Sequence, residues 1–339
     1  MPQKVIFDKK NVLVTGGAGF IGSHLCDELV KTSKVICLDN FSSGDEKNID
    51  HLLAEENFRF LKHDIAEPLD LEAFPELNDF KIAFQGIQEI YNLACPMSPK
   101  DFEKSRVETI LANTTGLINM LNLARHYEAA FLHFSSSVVY GPRRADNQKI
   151  AEDDIGAVDF LSPRAGYDEG KRYAETMVKT YGEVYGLSAK IIRLFRIYGP
   201  RMKLIDNQMI PDIINNALDG ADVEIIGDRN FSTSLCYVSD AVDAAIKMMS
   251  SGRSRPVNIG SDVLLNMTDV AEKIIRLIGS NSQIKYAPAH LFMTPLCLPD
   301  ITLAKNLLGW MPVVTLEKGL EKTIDDLRAS KNLIGPVNY

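Results

Sequence analysis

The sequence has few cysteines and no arrangement of them that suits a metal ion. Five cysteines are scattered over 339 residues, with no CxxC pair and no Cys/His cluster at zinc-ligand spacing. This usage is typical of a reducing compartment, and we expect no metal site. Long apolar runs are also lacking, since no uninterrupted stretch approaches the roughly 18 residues of a membrane span. We therefore expect a cytoplasmic protein that is not bound to a membrane.

An excess of basic charge is absent as well. The chain carries 37 Lys and Arg against 45 Asp and Glu, a net charge of −8. This balance repels polyphosphate backbones and argues against nucleic-acid binding, while a local basic pocket for one small phosphorylated ligand stays possible. Internal repeats, low-complexity tracts and Gly/Ser linkers are missing too. With 45% hydrophobic residues, the chain has the composition of a globular protein of about two domains.

Short apolar runs alternate with longer amphipathic stretches through the first half of the chain, which is typical of strands joined by helical crossovers. The strand-sized runs are 12–14, 35–38, 58–61, 89–93, 130–134 and 189–194. Helical spacing occurs at 21–32, 107–125, 167–184, 208–218, 238–249, 268–278 and 316–328. The pattern predicts an α/β fold with six parallel strands, and 70–86 is expected to be an irregular connection.

A glycine-rich turn follows the first predicted strand. In the segment TGGAGFIG, Gly16 permits the tight turn, Gly19 lets backbone approach a pyrophosphate, and Gly22 lets the next helix pack on the strand. Asp39 ends the second strand, where a carboxylate accepts hydrogen bonds from the ribose hydroxyls of an adenosine and repels a 2′-phosphate. Asn40 follows Asp39 rather than an arginine, which favours NAD over NADP. The first half is therefore predicted to be a Rossmann-type doubly wound sheet.

The expected cofactor site extends beyond this turn to the ends of the later strands. Asp64 could bind the adenine amino group, although a turn aspartate explains that residue almost as well. The NAD-binding candidates are Gly16, Gly19, Phe20, Ile21, Gly22, Asp39, Asn40, Asp64, Ile65, Leu93, Ala94, Asn113, Tyr167 and Lys171.

A phenol and an ammonium lie four residues apart at Tyr167 and Lys171, so a helix would present them on one face. We expect the cation to lower the pKa of the phenol, which could then exchange a proton with an alcohol while NAD carries the hydride. Ser136 follows the fifth predicted strand and could hold that alcohol against Tyr167. Each motif alone has an ordinary explanation as a helix surface or a serine-rich turn; together they predict a catalytic site.

These motifs resemble the extended short-chain dehydrogenase/reductases that modify nucleotide sugars. The resemblance runs from Asn11 to about Arg328 and includes TGGAGFIG, LDN, NTTG, SSSVVYG and YDEGK in the family's order. Within the family, SPRAGYDEGKRYAET, YGPRM and PDI with LGW are most similar to the UDP-glucuronate decarboxylases. The resemblance implies catalysis by Ser136, Tyr167 and Lys171. It also implies a UDP-linked sugar as substrate and a homodimer formed through the helices at 107–125 and 167–184.

Four positions depart from the pattern of those relatives. Val138 replaces the glutamate of decarboxylases and dehydratases, and epimerases usually have a small residue there. Arg196 replaces an asparagine beside the substrate diphosphate, whereas Thr233 and Cys297 replace arginines. Each lost arginine removes a contact on the order of 1.5–3 kcal/mol. The candidates for substrate binding are Ser137, Arg196, Arg201 and Thr233.

Three functions remain open at this point. The first is decarboxylation of a nucleotide-linked uronic acid through a transient 4-keto sugar, and the second is 4-epimerisation, which Val138 favours. The third is a non-catalytic NAD-binding protein, against which the intact Ser136, Tyr167 and Lys171 argue. The expected division is an NAD-binding domain at 1–195 plus about 237–262, with a smaller, interleaved substrate domain at 196–236 and 263–339.

Overall fold

The computed structural model describes residues 9–96, 104–142, 149–204, 208–288 and 297–334. A seven-stranded parallel sheet forms its centre, in the order β7-β6-β5-β4-β1-β2-β3. Its strands are β1 (Asn11–Thr15), β2 (Lys34–Asp39), β3 (Phe58–Lys62), β4 (Glu89–Asn92), β5 (Ala130–Ser136), β6 (Ala189–Leu194) and β7 (Val257–Ile259). The predicted α/β class and doubly wound parallel sheet are confirmed.

Ten α-helices connect or flank these strands in the described residues. They are α1 (Phe20–Leu29), α2 (Ile82–Gln85), α3 (Arg106–Leu111), α4 (Leu117–His126), α5 (Ala165–Tyr185), α6 (Met209–Leu218), α7 (Val238–Ser250), α8 (Met267–Ile278), α9 (Thr302–Leu308) and α10 (Leu316–Ile334). A π-helical turn, Ala112–Gly116, joins α3 to α4. Within the described part of the chain, every helix is too short or too polar to cross a lipid bilayer.

The sheet is buried on both faces, as a parallel sheet with crossover helices requires. Alternate residues of β1 point to opposite layers: Val12 and Val14 pack with α1 and α7, and Leu13 packs with α4 and α5. All five β1 residues are buried. This layering explains why the central strands lack a polar face in the sequence.

Several elements were missed at the sequence level because long-range pairing creates them. The short strand β7 pairs with β6, so six predicted strands become seven. Pairs of short strands also form between Val223–Ile226 and Ile284–Ala287, Ile197–Tyr198 and Cys236–Tyr237, Ser232–Thr233 and Leu265–Asn266, and Lys149–Ile150 and Leu298–Pro299. Helix α9 was missed as well. The 70–86 connection contains the 3₁₀ turns Leu71–Ala73 and Pro75–Phe80 before α2.

The second half of the chain contributes to both the predicted NAD-binding domain and the predicted substrate domain. Strand β7 and helix α7 come from 237–262 and join the central sheet and its flanking layer, whereas α6, α8 and α10 pack on one another. Parts of both predicted ranges, including 1–8 and 335–339, lie outside the described residues. The division into two domains stays a prediction.

Candidate active site

A cavity of about 880 Å³ opens at the carboxyl edge of the sheet, where the strand order reverses between β1 and β4. Open α/β sheets bind ligands in this crevice. Most of the predicted cofactor residues line it: Gly16, Gly19, Phe20, Ile21, Gly22, Asp39, Asn40, Asp64, Ile65, Leu93, Ala94 and Tyr167. Ser136, Ser137, Arg196 and Arg201 line the same cavity, so the predicted cofactor and reaction sites meet.

The glycine turn fits a dinucleotide because neighbouring backbone packs so closely on Gly16 and Gly22 that no side chain has room there. Gly16 has φ +69°, and a Cβ there would lie 2.9 Å from the Ala94 backbone. A Cβ on Gly22 would lie 2.1 Å from the Gly16 carbonyl oxygen. Helix α1 begins beside this turn with no side-chain cap on its first N–H groups. Those N–H groups and the positive end of the helix dipole suit the pyrophosphate of NAD.

Asp39 is held rigidly at the end of β2. Its two carboxylate oxygens accept hydrogen bonds from the backbone N–H of Ala18 at 3.0 Å and of Phe41 at 2.8 Å. Burial raises the pKa of Asp39, while these N–H groups and the Lys203 ammonium act to lower it. Asn40 donates a 2.9 Å hydrogen bond to Asp64, which joins the edges of β2 and β3. The arrangement can bind the ribose hydroxyls and the adenine edge of a nucleotide.

Ser136, Tyr167 and Lys171 converge at the other end of the cavity. The Ser136 side chain forms a hydrogen bond with Tyr167, and the Lys171 ammonium lies 5.9 Å from the centre of the tyrosine ring. Lys171 is buried behind the cavity wall and donates a 2.9 Å hydrogen bond to the Phe134 carbonyl oxygen. The α5 helix that carries both residues is 21 residues long and is followed by its capping residue Gly186, whose φ is +68°. Tyr167 and Lys171 therefore lie on one face of α5, beside Ser136.

Tyr167 does not have the lowered pKa expected from the sequence. Burial raises its pKa and the Cys95 thiol adds to that effect, while the Ser136 hydrogen bond and the Arg164 charge act in the opposite direction. Burial also lowers the pKa of Lys171, with Cys95 and Glu175 opposing it. Desolvation outweighs the Ser136 hydrogen bond and the Arg164 charge because the phenol is enclosed in the fold.

Val138 and Cys95 pack directly against Tyr167 and line the cavity. Asn113 lies behind this wall in the π-helical turn, where its amide donates hydrogen bonds to the Cys95 sulfur and the Thr109 carbonyl oxygen. Asn113 and Lys171 do not line the cavity, so they support the site from behind. Val138 therefore places an apolar side chain at the position where decarboxylases and dehydratases were expected to have a glutamate.

The predicted substrate residues divide into two groups. Ser137 is buried at the cavity wall, and Arg196 follows β6 at the same edge. Arg201 also lines the cavity, but its guanidinium forms a 2.7 Å ion pair with Asp27 on α1. Thr233 is buried in a short strand pair and does not line the cavity, so the structure does not bring it to the other site residues.

Arg164, Cys95 and Lys203 are among the cavity residues that were missed at the sequence level. Arg164 precedes Tyr167 and forms a 3.3 Å ion pair with Asp168. Cys95 follows β4. Lys203 lies two residues after Arg201, whose ion pair with Asp27 connects this segment to α1. Proximity to Tyr167 along the helix could have indicated Arg164. Lys203 carries no such signal, because its closeness to Asp39 depends on how distant segments pack.

Comparisons with known proteins agree with this geometry. The model of the NAD dependent epimerase/dehydratase family matches residues 12–260. UDP-glucuronic acid decarboxylase 1 of Xenopus tropicalis is 38% identical over 322 residues, which cover 95% of this chain and 73% of the relative. UDP-glucuronic acid decarboxylase 6 of Arabidopsis thaliana is 37% identical over 96% of this chain and 91% of its own length.

Two solved structures share the fold over nearly their full length. The UDP-glucuronic acid 4-epimerase of Bacillus cereus, in complex with UDP-glucuronic acid and NAD, has a TM-score of 0.82 at 26% identity and covers 95% of this chain and 100% of its own. The UDP-N-acetylglucosamine 4-epimerase of Methanobrevibacter ruminantium has a TM-score of 0.84 at 26% identity, covering 96% and 100%. The resemblance inferred from the motifs is confirmed. The chain belongs to the NAD-dependent epimerase/dehydratase family, and its cofactor is NAD.

Proposed function

We propose that the protein modifies a UDP-linked sugar through a transient 4-keto sugar, and that it acts as a UDP-glucuronate decarboxylase. The observation that carries the proposal is the meeting of the glycine turn with Ser136 and Tyr167 in one cavity, with Lys171 buried behind the Tyr167 ring. The decarboxylase relatives, at 36–39% identity, support the substrate. This constellation also argues against a non-catalytic NAD-binding protein, since folding alone does not require all three residues.

The catalytic residues act on the C4 hydroxyl of the sugar. Ser136 holds this hydroxyl against the Tyr167 phenol, which removes its proton as general base and returns it as general acid. Lys171 places a positive charge behind the ring and stabilises the phenolate. When bound, NAD supplies the hydride acceptor and donor, so the reaction has no net redox change.

The substituent at C5 decides the outcome after C4 has been oxidised. If C5 bears a carboxylate, the 4-keto sugar is a β-keto acid: its C5–C6 bond breaks, CO₂ leaves, and the electron pair forms an enolate that is protonated at C5. Reduction of the C4 ketone then gives a pentose. Without such a loss, rotation of the ketone and reduction from its other face give the C4 epimer. The second candidate function is this epimerisation, which is favoured by the apolar Val138 beside Tyr167.

A panel of nucleotide sugars distinguishes the candidates. The purified protein with NAD is incubated with UDP-glucuronate and with neutral UDP-hexoses, and the products are measured by mass spectrometry and by chromatography against epimer standards. Loss of CO₂ from UDP-glucuronate is the expected result. An epimer of unchanged mass would support the second candidate, and NAD binding without turnover of any sugar would contradict both.

Val138 is expected to limit decarboxylation. It is buried against Tyr167 and cannot relay a proton or bind the sugar ring. Val138→Glu should raise the ratio of CO₂ release to epimer by about tenfold, because a carboxylate could do both, and the polar residues Ser137 and Arg164 line the same cavity. Val138→Gln, of equal size but without the ionisable group, is the matched control. A native enzyme that releases CO₂ faster than Val138→Glu would show that the glutamate is dispensable.

Arg196 is proposed to bind the substrate diphosphate. Its position after β6 on the cavity edge suits a charge-assisted contact to a phosphate oxygen. Arg196→Ala should therefore raise the KM for the nucleotide sugar about tenfold, with NAD affinity unchanged because the dinucleotide pyrophosphate binds at the glycine turn. Arg253→Ala, at an exposed arginine outside the cavity, is the control. An unchanged KM would place the diphosphate elsewhere.

We also propose a homodimer located in the cytoplasm. Helices α3 and α5 contact each other and both expose apolar side chains, among them Val107, Ile110 and Leu111 on α3 and Val184 and Tyr185 on α5. A second copy of the chain would cover this surface, and sedimentation of the purified protein tests the proposal. The scattered cysteines of the sequence support the reducing compartment.

A further inference from the structure

A third polar residue, Glu175, shares the face of α5 that carries Tyr167 and Lys171. Glu175 follows Lys171 by four residues and Tyr167 by eight, so the three side chains lie along one side of the helix. The Glu175 side chain is only 12% exposed, and that of its partner Arg193 is 11% exposed. A buried carboxylate of this kind requires a complete set of partners, since an unmatched buried charge is costly.

Glu175 binds two strands of the sheet at once. One carboxylate oxygen accepts hydrogen bonds from the Ser135 hydroxyl at 2.6 Å and from Arg193 Nε at 2.9 Å, and the other accepts from Arg193 Nη2 at 2.7 Å. Ser135 on β5 and Arg193 on β6 are paired in register across the sheet. The carboxylate therefore attaches α5 to a single defined point of the sheet, directly before Ser136.

The same hydrogen-bond network extends to the end of the 3₁₀ turn that follows Ser136. Arg193 donates a 2.6 Å hydrogen bond to the Tyr140 hydroxyl, which donates a 2.7 Å hydrogen bond to Asn258 on β7. Tyr140 closes the 3₁₀ turn Ser137–Tyr140 that follows Ser136. Residues on both sides of the catalytic serine are thus attached to the Glu175–Arg193 pair.

We propose that Glu175 is a positioning residue that sets Tyr167 and Lys171 on α5 against Ser136 on β5. The inference rests on the proposed function, because it assigns the placement of the groups that carry that reaction. Bidentate binding of Arg193 gives a directional contact that a single hydrogen bond would not. The carboxylate also acts on Lys171 through its charge.

The charged and titratable groups facing Lys171 come from several elements. They are Glu175 and Tyr167 on α5, Cys95 after β4 and His133 on β5. Burial lowers the pKa of Lys171, and Cys95 and Glu175 oppose this. Burial and the Lys171 charge hold the pKa of His133 well below its usual value, so His133 is neutral at pH 7. Removing the Glu175 charge should therefore let Lys171 lose its proton at lower pH.

Glu175→Gln tests the proposal, since glutamine keeps the shape but removes the charge and one acceptor. We expect kcat to fall about tenfold or more with the substrate KM and NAD affinity near native values. The alkaline limb of the kcat profile should move to lower pH by about half a unit. Glu169→Gln is the matched control: Glu169 lies on the same helix, half exposed, in a 3.7 Å ion pair with Arg172, and its loss should change neither kcat nor the profile.

Two further measurements distinguish failure of this inference from a variant that does not fold and from failure of the proposed function. Ser135→Ala removes one hydrogen bond of the network and leaves the ion pair, so it should fold even if Glu175→Gln does not, and it should lower kcat severalfold. Crystal structures need no substrate, and those of the two variants should show the Tyr167 hydroxyl displaced from Ser136 relative to its position in the native protein. Native kcat in both variants, or an unchanged contact between Tyr167 and Ser136, overturns the inference. A native protein that turns over no nucleotide sugar contradicts the proposed function instead.

Discussion

Replacing Tyr167 by phenylalanine is expected to lower kcat by about a hundredfold or more, while folding and NAD affinity stay near native values. The substitution removes one hydroxyl, and with it the group that is proposed to exchange a proton with the sugar. The ring remains packed against Val138 and Cys95, so the local structure keeps its apolar contacts. Pre-steady-state and steady-state rates on UDP-glucuronate, with NAD affinity measured separately by titration, would separate chemistry from binding.

Lys171→Met should have a similar effect for a different reason. The Lys171 ammonium is proposed to stabilise the phenolate, and its loss would leave a buried phenol whose pKa burial already raises. Tyr173→Phe is the matched control for the tyrosine variant, since Tyr173 is exposed on the same helix. A Tyr167→Phe enzyme with near-native kcat would remove Tyr167 from the catalytic step.

The second large effect concerns the choice of cofactor. The native protein should bind NAD about a hundredfold more tightly than NADP, because the Asp39 carboxylate would face the 2′-phosphate. Two like charges about 5 Å apart repel by on the order of 3 kcal/mol at an effective dielectric constant near 20. Asp39 cannot turn away, since the Ala18 and Phe41 N–H groups hold both of its oxygens. Titration of the two cofactors measures the ratio.

Asp39→Asn should remove most of this discrimination by raising NADP affinity and weakening NAD. In that background the Lys203 ammonium, which lines the same part of the cavity, becomes available to a 2′-phosphate. Lys203→Ala added to Asp39→Asn should therefore reduce NADP affinity again. Asp45→Asn, at an exposed turn position of the same segment, is the control. Equal affinities in the native protein would remove Asp39 from the ribose site.

Sequence alone determined the parts of the site that lie within one segment of the chain. The glycine turn is a local signal, since Gly16 has φ +69° and a Cβ on Gly22 would lie 2.1 Å from the Gly16 carbonyl oxygen. The shared face of Tyr167 and Lys171 follows from helical periodicity. Both features depend on local backbone geometry and residue spacing, which do not change with the packing of the rest of the chain.

Only the tertiary structure decided which distant groups meet and how far they are buried. It added β7 to the sheet, left Thr233 outside the cavity, and brought Ser135, Glu175 and Arg193 together from three elements. It also reversed the expected direction of the Tyr167 pKa shift. The physical reason is the same in each case: pairing, burial and electrostatic distance depend on long-range packing, whereas residue spacing determines only local geometry.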